Sequence, residues 1–309
     1  MAAAESLRAF LDAARARVDA ALEQYLPLPP GCPAIVSEAM RYSVFAGGKR
    51  LRPVLTLASA DATSRHDERA IADALPAACA IELIHTYSLI HDDLPAMDND
   101  TLRRGRPTLH VVYGDGIAVL AGDGLHAEAF TLLAREPASP SLAARQLRVI
   151  EVIGAAAGPV GMVGGQAIDL QAAGQALGQR ITLDGDGLRA MHARKTGALI
   201  RASAVAGAIM AGAPEDAVQA VDRYAADLGL AFQIVDDILD VEGDPNALGK
   251  TAGKDAADAK PSYPALFGLE RSRALAEECI GRAKAALAGA GLADGWLGGI
   301  ADWVVGRKN

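Results

Sequence analysis

Two short runs of aspartate interrupt otherwise apolar sequence, and their spacing could hold a metal ion. The second run comprises Asp236, Asp237 and Asp240. On a helix of about 100° per residue, these three side chains share an arc of about 100°. Carboxylates so close together repel one another in a low dielectric, so a cation is expected among them, and oxygen ligands of this kind suit Mg²⁺. The alternative is an exposed acidic helix end, which the nearly all apolar flanking residues disfavour.

The first run is two residues longer and comprises Asp92, Asp93 and Asp98. Pro95 lies inside it, and a proline within a helix loses a hydrogen bond and clashes with the preceding turn. We therefore expect the helix to kink or end there, and the extra residues to let Asp98 fold back toward Asp92. An exposed loop or a calcium site is the alternative, but the glycine and glutamate positions of an EF-hand do not fit.

Basic residues cluster at several points along the chain. Residues 47–53, Gly-Gly-Lys-Arg-Leu-Arg-Pro, put three cations beside a glycine pair and a helix start, which suits phosphate. Further cations are Arg103, Arg104, Arg106, Lys195, Lys250, Lys254 and Lys260. Each alone could be a solvated surface residue. Together with two acidic runs in a chain of net charge −8, they indicate one metal-bridged diphosphate and a second held by cations alone.

His85 lies seven residues before Asp92, two turns back on the same helical face. A histidine in an apolar helix is more often a hydrogen-bonded core residue, which is the alternative here. The shared face with Asp92 makes contact with phosphate the functional interpretation. Ser43, Cys79 and Cys279 have no neighbouring acid–base partner in the sequence that would indicate a nucleophile.

The composition predicts an all-α fold. Aromatic residues make up 4% of the chain, and the alternating β-branched pattern of strands is nearly absent. With 309 residues and 51% hydrophobic content the chain can bury a large core, and the absence of a linker favours a single helical-bundle domain over residues 1–309. The net charge of −8 argues against a nucleic-acid binder that uses a diffuse basic surface.

The cysteines and the N-terminal residues indicate the cellular location of the protein. Cys32, Cys79 and Cys279 are far apart and form no CxxC pair, which favours reduced thiols and a cytoplasmic protein. Charges within residues 5–12 disfavour a signal peptide. The sequence contains no run of 18 or more apolar residues of the kind that a membrane span needs, so we expect none.

Helical periodicity recurs along most of the chain. We predict helices at about residues 4–25, 33–46, 53 onward, 70–96, 116–135, 141–158, 187–212, 214–241, 272–289 and 296–305. The two aspartate runs then fall near the ends of two long buried helices, which would bring them face to face across one end of the bundle. Residues 243–262, rich in Gly, Asp and Lys, are predicted to be a mobile loop.

The motifs together resemble the trans-prenyltransferase, or polyprenyl synthetase, family, and most of all its bacterial farnesyl diphosphate synthases. The similarity extends over essentially the whole chain. The motifs are residues 47–53, 85–98, 103–108, Gly164-Gly165-Gln166 with Asp169, 192–199 (His-Ala-Arg-Lys-Thr-Gly-Ala-Leu), 232–240 (Phe-Gln-Ile-Val-Asp-Asp-Ile-Leu-Asp) and Gly249-Lys250. The resemblance implies an all-helical bundle, commonly a homodimer, that joins isopentenyl diphosphate to allylic diphosphates.

The resemblance also assigns roles to the aspartates. It implies three Mg²⁺ ions bound together with the allylic diphosphate. The direct metal ligands would be Asp92, Asp98 and Asp236. The residues that assist through water or hydrogen bonds would be Asp93, Asp237 and Asp240.

The cations and their neighbours receive roles in the same way. The allylic diphosphate would be held by Arg103, Lys195 and Lys250, with Lys260 nearby. Isopentenyl diphosphate would be held by Lys49, Arg52, His85 and Arg104. Thr196 and Gln233 would lie beside the developing allylic cation. No enzymic nucleophile is needed, because the double bond of isopentenyl diphosphate attacks and the released diphosphate takes the proton.

Product length is expected to depend on the depth of the cavity below the first aspartate run. A side chain five residues before Asp92 lies about 7.5 Å deeper along the helix, and that residue is Tyr87. In the family, a large residue there and the two-residue insertion accompany a fifteen-carbon product. Ser88 lies nearer the Asp92 face on an ideal helix, so both residues could set the length. Farnesyl diphosphate is the predicted product, and geranyl or geranylgeranyl diphosphate is the alternative.

Two other functions remain as rivals. A class I terpene cyclase ionises a diphosphate by the same chemistry, but it should lack the cations at Lys49 and Arg52 and the second aspartate run. A non-catalytic regulatory subunit should have lost metal ligands, whereas this chain has all of them.

Overall fold

The computed structural model describes residues 2–176, 178, 180–242 and 261–307. Its first half contains α1 (Ala2–Tyr25), α2 (Ala34–Val44), α3 (Leu51–Ser64), α4 (Glu68–Asp92), α5 (Leu109–Tyr113), α6 (Asp115–Arg135) and α7 (Ala143–Ala157). Its second half contains α8 (Met162–Ala173), α9 (Gly185–His192), α10 (Ala198–Met210), α11 (Glu215–Glu242), α12 (Tyr263–Phe267), α13 (Leu269–Gly289) and α14 (Trp296–Gly306). The predicted all-α fold is confirmed.

The core is built around α4, α10 and α11. Helix α4 packs against α3 and α6, α10 packs against α3 and α7, and α11 packs against α10 and α13. Buried residues from α1 through α14 belong to one apolar cluster. The single-domain interpretation agrees with that cluster and stays a prediction.

Small residues let the central helices approach closely. A Cβ atom added to Gly207 of α10 would lie 2.0 Å from the carbonyl oxygen of Thr56 on α3. A Cβ atom added to Gly165 of α8 would lie 2.2 Å from the backbone nitrogen of Lys195. Neither helix pair could keep its present spacing with a larger residue, so these glycines fix the distance between backbones.

Several elements differ from the periodicity-based prediction. Helix α8 and the short α5 were not predicted. The predicted helix at 187–212 contains a π-helical turn, Ala193–Gly197, between α9 and α10. A two-residue antiparallel pair, β1 (Leu102–Arg103) with β2 (Arg106–Pro107), follows the first aspartate run. The predicted mobile loop lies outside the described residues except for 261 and 262.

Two apolar stretches leave much of their surface uncovered. Among the residues that the structure describes, Asp115–Arg135 and Pro140–Ala173 are long and apolar enough to cross a membrane by length and composition alone. The second is interrupted between α7 and α8 at residues 158–161. Their most apolar windows are 39% and 33% buried. Core helices of water-soluble proteins pass the same test, so the expectation of no membrane span stays a prediction.

Arg50 is a structural residue that the sequence grouped with the phosphate-binding cations. It has φ +50° at the start of α3, and its guanidinium donates to Glu82 at 2.8 Å, to Asp19 at 3.0 Å and to the Val44 carbonyl at 2.6 Å. Arg50 and Glu82 are 5% and 3% exposed. The ion pair therefore joins α3 to α4 and holds the turn that carries Lys49.

Replacing Arg50 with alanine is expected to destabilise the protein by about 3–5 kcal/mol, because Glu82 would remain buried without a partner. Urea unfolding monitored by circular dichroism measures this loss. The Arg50→Met, Glu82→Leu double variant should recover most of it, since no unpaired charge remains. Arg271→Ala, which removes an exposed pair with Glu278, is the control and should cost less than about 1 kcal/mol. An Arg50→Ala cost no larger than that of the control would contradict the prediction.

Candidate active site

The first aspartate run closes on itself as the sequence predicts. Helix α4 ends at Asp92, three residues before Pro95. The backbone N–H of Asp98 then donates to the carbonyl oxygen of Asp92 at 2.9 Å. The expected helix end and the return of Asp98 toward Asp92 are both confirmed.

The Asp92 carboxyl lies among both cations and anions. Its pKa is raised to about 6, chiefly by burial; Asp98 acts in the same direction, whereas Lys195 and Arg103 act in the opposite direction. A raised pKa means that the nearby positive charge does not fully stabilise the buried carboxylate. A bound cation would supply that stabilisation. The oxygen donors of this run therefore fit a hard metal ion such as Mg²⁺.

Replacing Asp92 with asparagine is expected to stabilise the chain in EDTA at pH 7. The folded pKa of about 6 lies above the ordinary value of 3.8, so the folded state holds this proton more tightly than the unfolded state does. The protonated carboxyl therefore stabilises the folded state fully below pH 3.8, and this contribution is lost as the pH rises through 6. Urea unfolding of both proteins should show the advantage of the variant at pH 7, and a smaller one at pH 4.5. A pH-independent difference would contradict this origin.

Asp93 forms an ion pair with Arg103 of β1. The Arg103 guanidinium donates to both carboxylate oxygens of Asp93, with distances of 2.6 to 2.9 Å. Asp93 is 4% exposed. Burial opposes the charge of Arg103, but the bidentate pair with Asp93 offsets this effect, and the pKa of Arg103 is raised. Arg103 thus lies beside the first aspartate run, and its expected contact with an allylic diphosphate stays a prediction.

The π-helical turn connects the two aspartate runs. Its Lys195 donates to Asp169 of α8 at 2.5 Å, and the pKa of Lys195 is raised, because nearby Asp92 and Asp169 outweigh its burial. The next residue, Thr196, donates to the Oε1 of Gln233 on α11 at 3.0 Å. Adjacent residues of one turn therefore reach the first run and the helix of the second.

Asp237 is held by the protein itself. The Nε2 of Gln233 donates to Asp237 Oδ1 at 2.9 Å, and the backbone N–H of Tyr263 donates to Oδ2 at 2.9 Å. The pKa of His192, whose Nε2 lies 3.7 Å from the same carboxylate, is lowered to about 4 by burial. These contacts agree with an indirect role for Asp237, which orders Gln233 and Thr196.

Asp236 pairs with a residue that the sequence analysis missed. The Arg307 guanidinium lies 2.7 Å from Asp236 Oδ1, donates to the Phe232 carbonyl at 2.8 Å and stacks 3.9 Å above the Phe232 ring. Its side chain is 4% exposed. The only sequence signal is a basic pair at 307 and 308 after an apolar helix. A metal ion that binds Asp236 must either share the Asp236 carboxylate with this guanidinium or displace the guanidinium.

A separate cation cluster lies between α3, α4 and β1–β2. Burial and the charges of Arg52 and Arg104 lower the pKa of His85 well below its ordinary value, so His85 is neutral at pH 7. Burial lowers the pKa of Arg52 to about 10, and Arg52 Nε has no hydrogen-bond partner among the described residues. Arg104 donates to the Gly47 carbonyl oxygen. Positive charge exceeds negative charge in this cluster, so the cluster suits an anion that binds without a metal ion.

Lys49 lies toward the C-terminal helix. Its Nζ is 5.8 Å from the centre of the Trp303 ring, and its pKa is lowered by burial and by Arg307. Asp236 acts on both Lys49 and Arg52. Two of the cations predicted to bind isopentenyl diphosphate therefore lie within electrostatic range of the second aspartate run.

Tyr87 packs beneath the first run against α6. It is 7% exposed, its ring stacks on His126 at 4.6 Å, and it meets His91 edge-on at 5.7 Å. Ser88 instead donates to the carbonyl oxygen of His85 in its own helix at 2.8 Å. The sequence does not predict the stack on His126, because that contact depends on how α4 and α6 pack.

Some predicted residues remain apart from this description. Lys250, Lys254 and Lys260 lie outside the described residues. Within the part of the chain that the structure describes, no three His, Cys, Asp or Glu side chains already form a group that could hold a metal ion. Asp93 and Asp236 are paired with arginines instead, so ligand oxygens from elsewhere would have to complete a metal's coordination.

Comparisons with known proteins agree with this arrangement. The family model "Polyprenyl synthetase" matches residues 33–289. The chain is 47% identical to the farnesyl diphosphate synthase of Geobacillus stearothermophilus, over 85% of each chain, and 44% identical to a geranylgeranyl diphosphate synthase of Cyanophora paradoxa, over 91% of each.

Solved structures show the same fold. An FPP/GFPP synthase from Zymomonas mobilis aligns with a TM-score of 0.84 and 39% identity, covering 98% of this chain and 99% of that one. A geranyltransferase from Helicobacter pylori, crystallised with magnesium and isoprenyl diphosphate, aligns with a TM-score of 0.81 and 33% identity, covering 96% and 95%. The two acidic runs, the cations around them and these similarities establish that the chain belongs to the polyprenyl synthetase family of prenyltransferases.

Proposed function

We propose that this protein is a farnesyl diphosphate synthase, which adds isopentenyl diphosphate to dimethylallyl and then to geranyl diphosphate. The observation that carries the proposal is the π-helical turn, whose Lys195 interacts electrostatically with Asp92 while Thr196 donates to Gln233 on the helix of the second run. One site for an ionising diphosphate thus lies at this turn. A second anion site lies at Arg52, His85 and Arg104.

Magnesium is the proposed cofactor, with three ions per active site. Asp92, Asp98 and Asp236 would hold it, and the two phosphates of the allylic substrate would supply further oxygens. Support comes from the raised pKa of Asp92 and from the similar Helicobacter pylori structure that contains magnesium. When bound, the metal would stabilise the negative charge of the departing diphosphate.

The chain's own residues would assist each step. As the allylic C–O bond breaks, Lys195 and Arg103 stabilise the diphosphate that leaves with the electron pair. The oxygens of Thr196 and Gln233 lie beside the allylic cation that forms. Arg52 and Arg104 hold isopentenyl diphosphate while its double bond attacks the cation. Loss of a proton to the released diphosphate then gives the product, which is five carbons longer.

The test is chain elongation by the purified protein. It is incubated with isopentenyl diphosphate, Mg²⁺ and each of dimethylallyl, geranyl and farnesyl diphosphate, and the products are sized. Growth to fifteen carbons from the two shorter primers is expected. A cyclic hydrocarbon would indicate a terpene cyclase, whereas growth only after a partner subunit is added would indicate a regulatory subunit. No growth with any primer would overturn the proposal.

We also propose that the protein is a homodimer in the cytoplasm. Helices α5, α6 and α7 pack side by side and expose Val111, Leu120 and Leu147 by 51%, 54% and 69%. Apolar side chains on adjacent helices favour a protein partner over solvent, and oligomers of identical chains are the commonest kind.

Leu120→Glu combined with Leu147→Glu is expected to convert the dimer to a monomer, because each dimer would bury charges without partners. Analytical ultracentrifugation at micromolar concentration measures the mass of each protein. Leu28→Glu, which changes a side chain 57% exposed outside these helices, should leave the dimer intact. A wild-type monomer, or a charged variant that stays dimeric, would contradict the proposed interface.

A further inference from the structure

A basic groove lies outside the candidate active site. Helices α9, α11 and α13 border an open groove of about 530 Å³, in which Arg189 and Arg223 are exposed. Three arginines line it, one from each helix: Arg189, Arg223 and Arg282. None of them takes part in the proposed reaction.

The charge of the groove is positive. Arg282 donates to Asp227 at 2.7 and 2.9 Å, so these two neutralise each other. The side chains of Arg189 and Arg223 have no hydrogen bond or ion pair with any residue that the structure describes. Guanidinium groups that line one concavity repel each other. An anion between them would relieve that repulsion, and arginine matches phosphate oxygens with paired N–H donors.

The rest of the lining is apolar. Ala193, Ala226, Leu230 and Ala286 complete the wall, and Leu230 packs against the main core. A free inorganic anion would use only the arginines and leave this wall in contact with water. A phosphorylated molecule with a short hydrocarbon chain would use both, because buried methylene groups each contribute about 0.8 kcal/mol.

The groove adjoins the candidate active site without sharing its side chains. Ala193 lies on the same π-helical turn as Lys195, and Leu230 lies one turn before Gln233 on α11. None of the aspartates of the two runs lines the cavity. Binding here therefore requires neither the aspartates nor a metal ion.

We propose that the groove between α9, α11 and α13 binds a phosphate or diphosphate ester with a short hydrocarbon chain, of which the prenyl diphosphates are one source. The head group lies between Arg189 and Arg223, and the chain lies along Ala226 and Leu230. This site goes beyond the proposed reaction and does not depend on turnover.

The test counts metal-independent sites by isothermal titration calorimetry of the full chain in EDTA with farnesyl diphosphate. Wild-type protein is expected to bind two molecules, one in this groove and one at the Arg52 cluster. The Arg189→Ala, Arg223→Ala double variant should lose one site or bind it at least about tenfold more weakly, since charge-assisted hydrogen bonds are lost. Arg271→Ala should retain both, and Arg52→Ala should retain the groove site alone.

Three outcomes would overturn the proposal. They are a chain in which no site survives Arg52→Ala, a double variant with the same number of sites and the same affinities as the wild type, and a groove that binds inorganic diphosphate or farnesol as tightly as farnesyl diphosphate. The last pair of ligands separates the head group from the chain. Chain elongation is measured separately with Mg²⁺, so a chain that fails to elongate can still show the groove site, and the two proposals fail independently.

Discussion

An Asp92→Ala protein is expected to keep its fold and to lose roughly 10³-fold in kcat/KM for chain elongation. The carboxylate of Asp92 interacts electrostatically with Lys195 and Asp98, the residues proposed to hold the departing diphosphate and a metal ion. Its removal takes away a metal ligand that acts most strongly when charge develops on the leaving group. Steady-state kinetics with geranyl and isopentenyl diphosphate measure the loss.

The controls separate chemistry from folding. Asp12→Ala removes an acidic residue that is 60% exposed on α1 and should elongate at the wild-type rate. Asp92→Glu keeps the charge but moves the oxygens, so its activity should fall between the two. Circular dichroism should show unchanged helix content in all three variants. Activity of Asp92→Ala within tenfold of wild type would remove Asp92 from the proposed metal site.

The ends and faces of the long helices could be predicted from the sequence. Pro95 predicts the end of α4, and the three-residue spacing of the second aspartate run predicts one helical face. Both depend on local geometry, for which the sequence contains the needed information. The same holds for the return of Asp98 to Asp92, since only a short loop separates them.

Contacts between distant segments could not be predicted in this way. Arg50 reads as one more cation beside a glycine pair, yet it is buried against Glu82 of α4. Arg307 reads as part of a charged tail, yet it contacts Asp236 of α11, although helices α12, α13 and α14 lie between the two residues in the chain. Such contacts depend on how helices pack, which periodicity does not specify. The π-helical turn was missed because one inserted residue leaves the apolar pattern of α9 and α10 nearly unchanged.

Tyr87→Ala is expected to shift the main product from fifteen carbons to twenty or more. The Tyr87 ring is buried under the first aspartate run and is held by its stack on His126. Without the ring, the growing chain can pass this level and continue along α6 toward His126 and Phe130, which themselves lie 5.5 Å apart. Incubation with geranyl and isopentenyl diphosphate, followed by chromatography of the hydrolysed products, measures the change.

Matched variants test whether the ring alone sets the length. Tyr87→Phe keeps the ring and its stack, so its product should remain at fifteen carbons. Ser88→Ala should also leave the product unchanged, because the Ser88 hydroxyl is bound to its own helix. His126→Ala removes the support and should give a mixture of lengths, since Tyr87 can then move aside, while the Tyr87→Ala, His126→Ala double variant should give the longest chains. An unchanged product from Tyr87→Ala would show that another wall of the cavity stops the chain, and a longer product from Ser88→Ala would show that the two residues share that function.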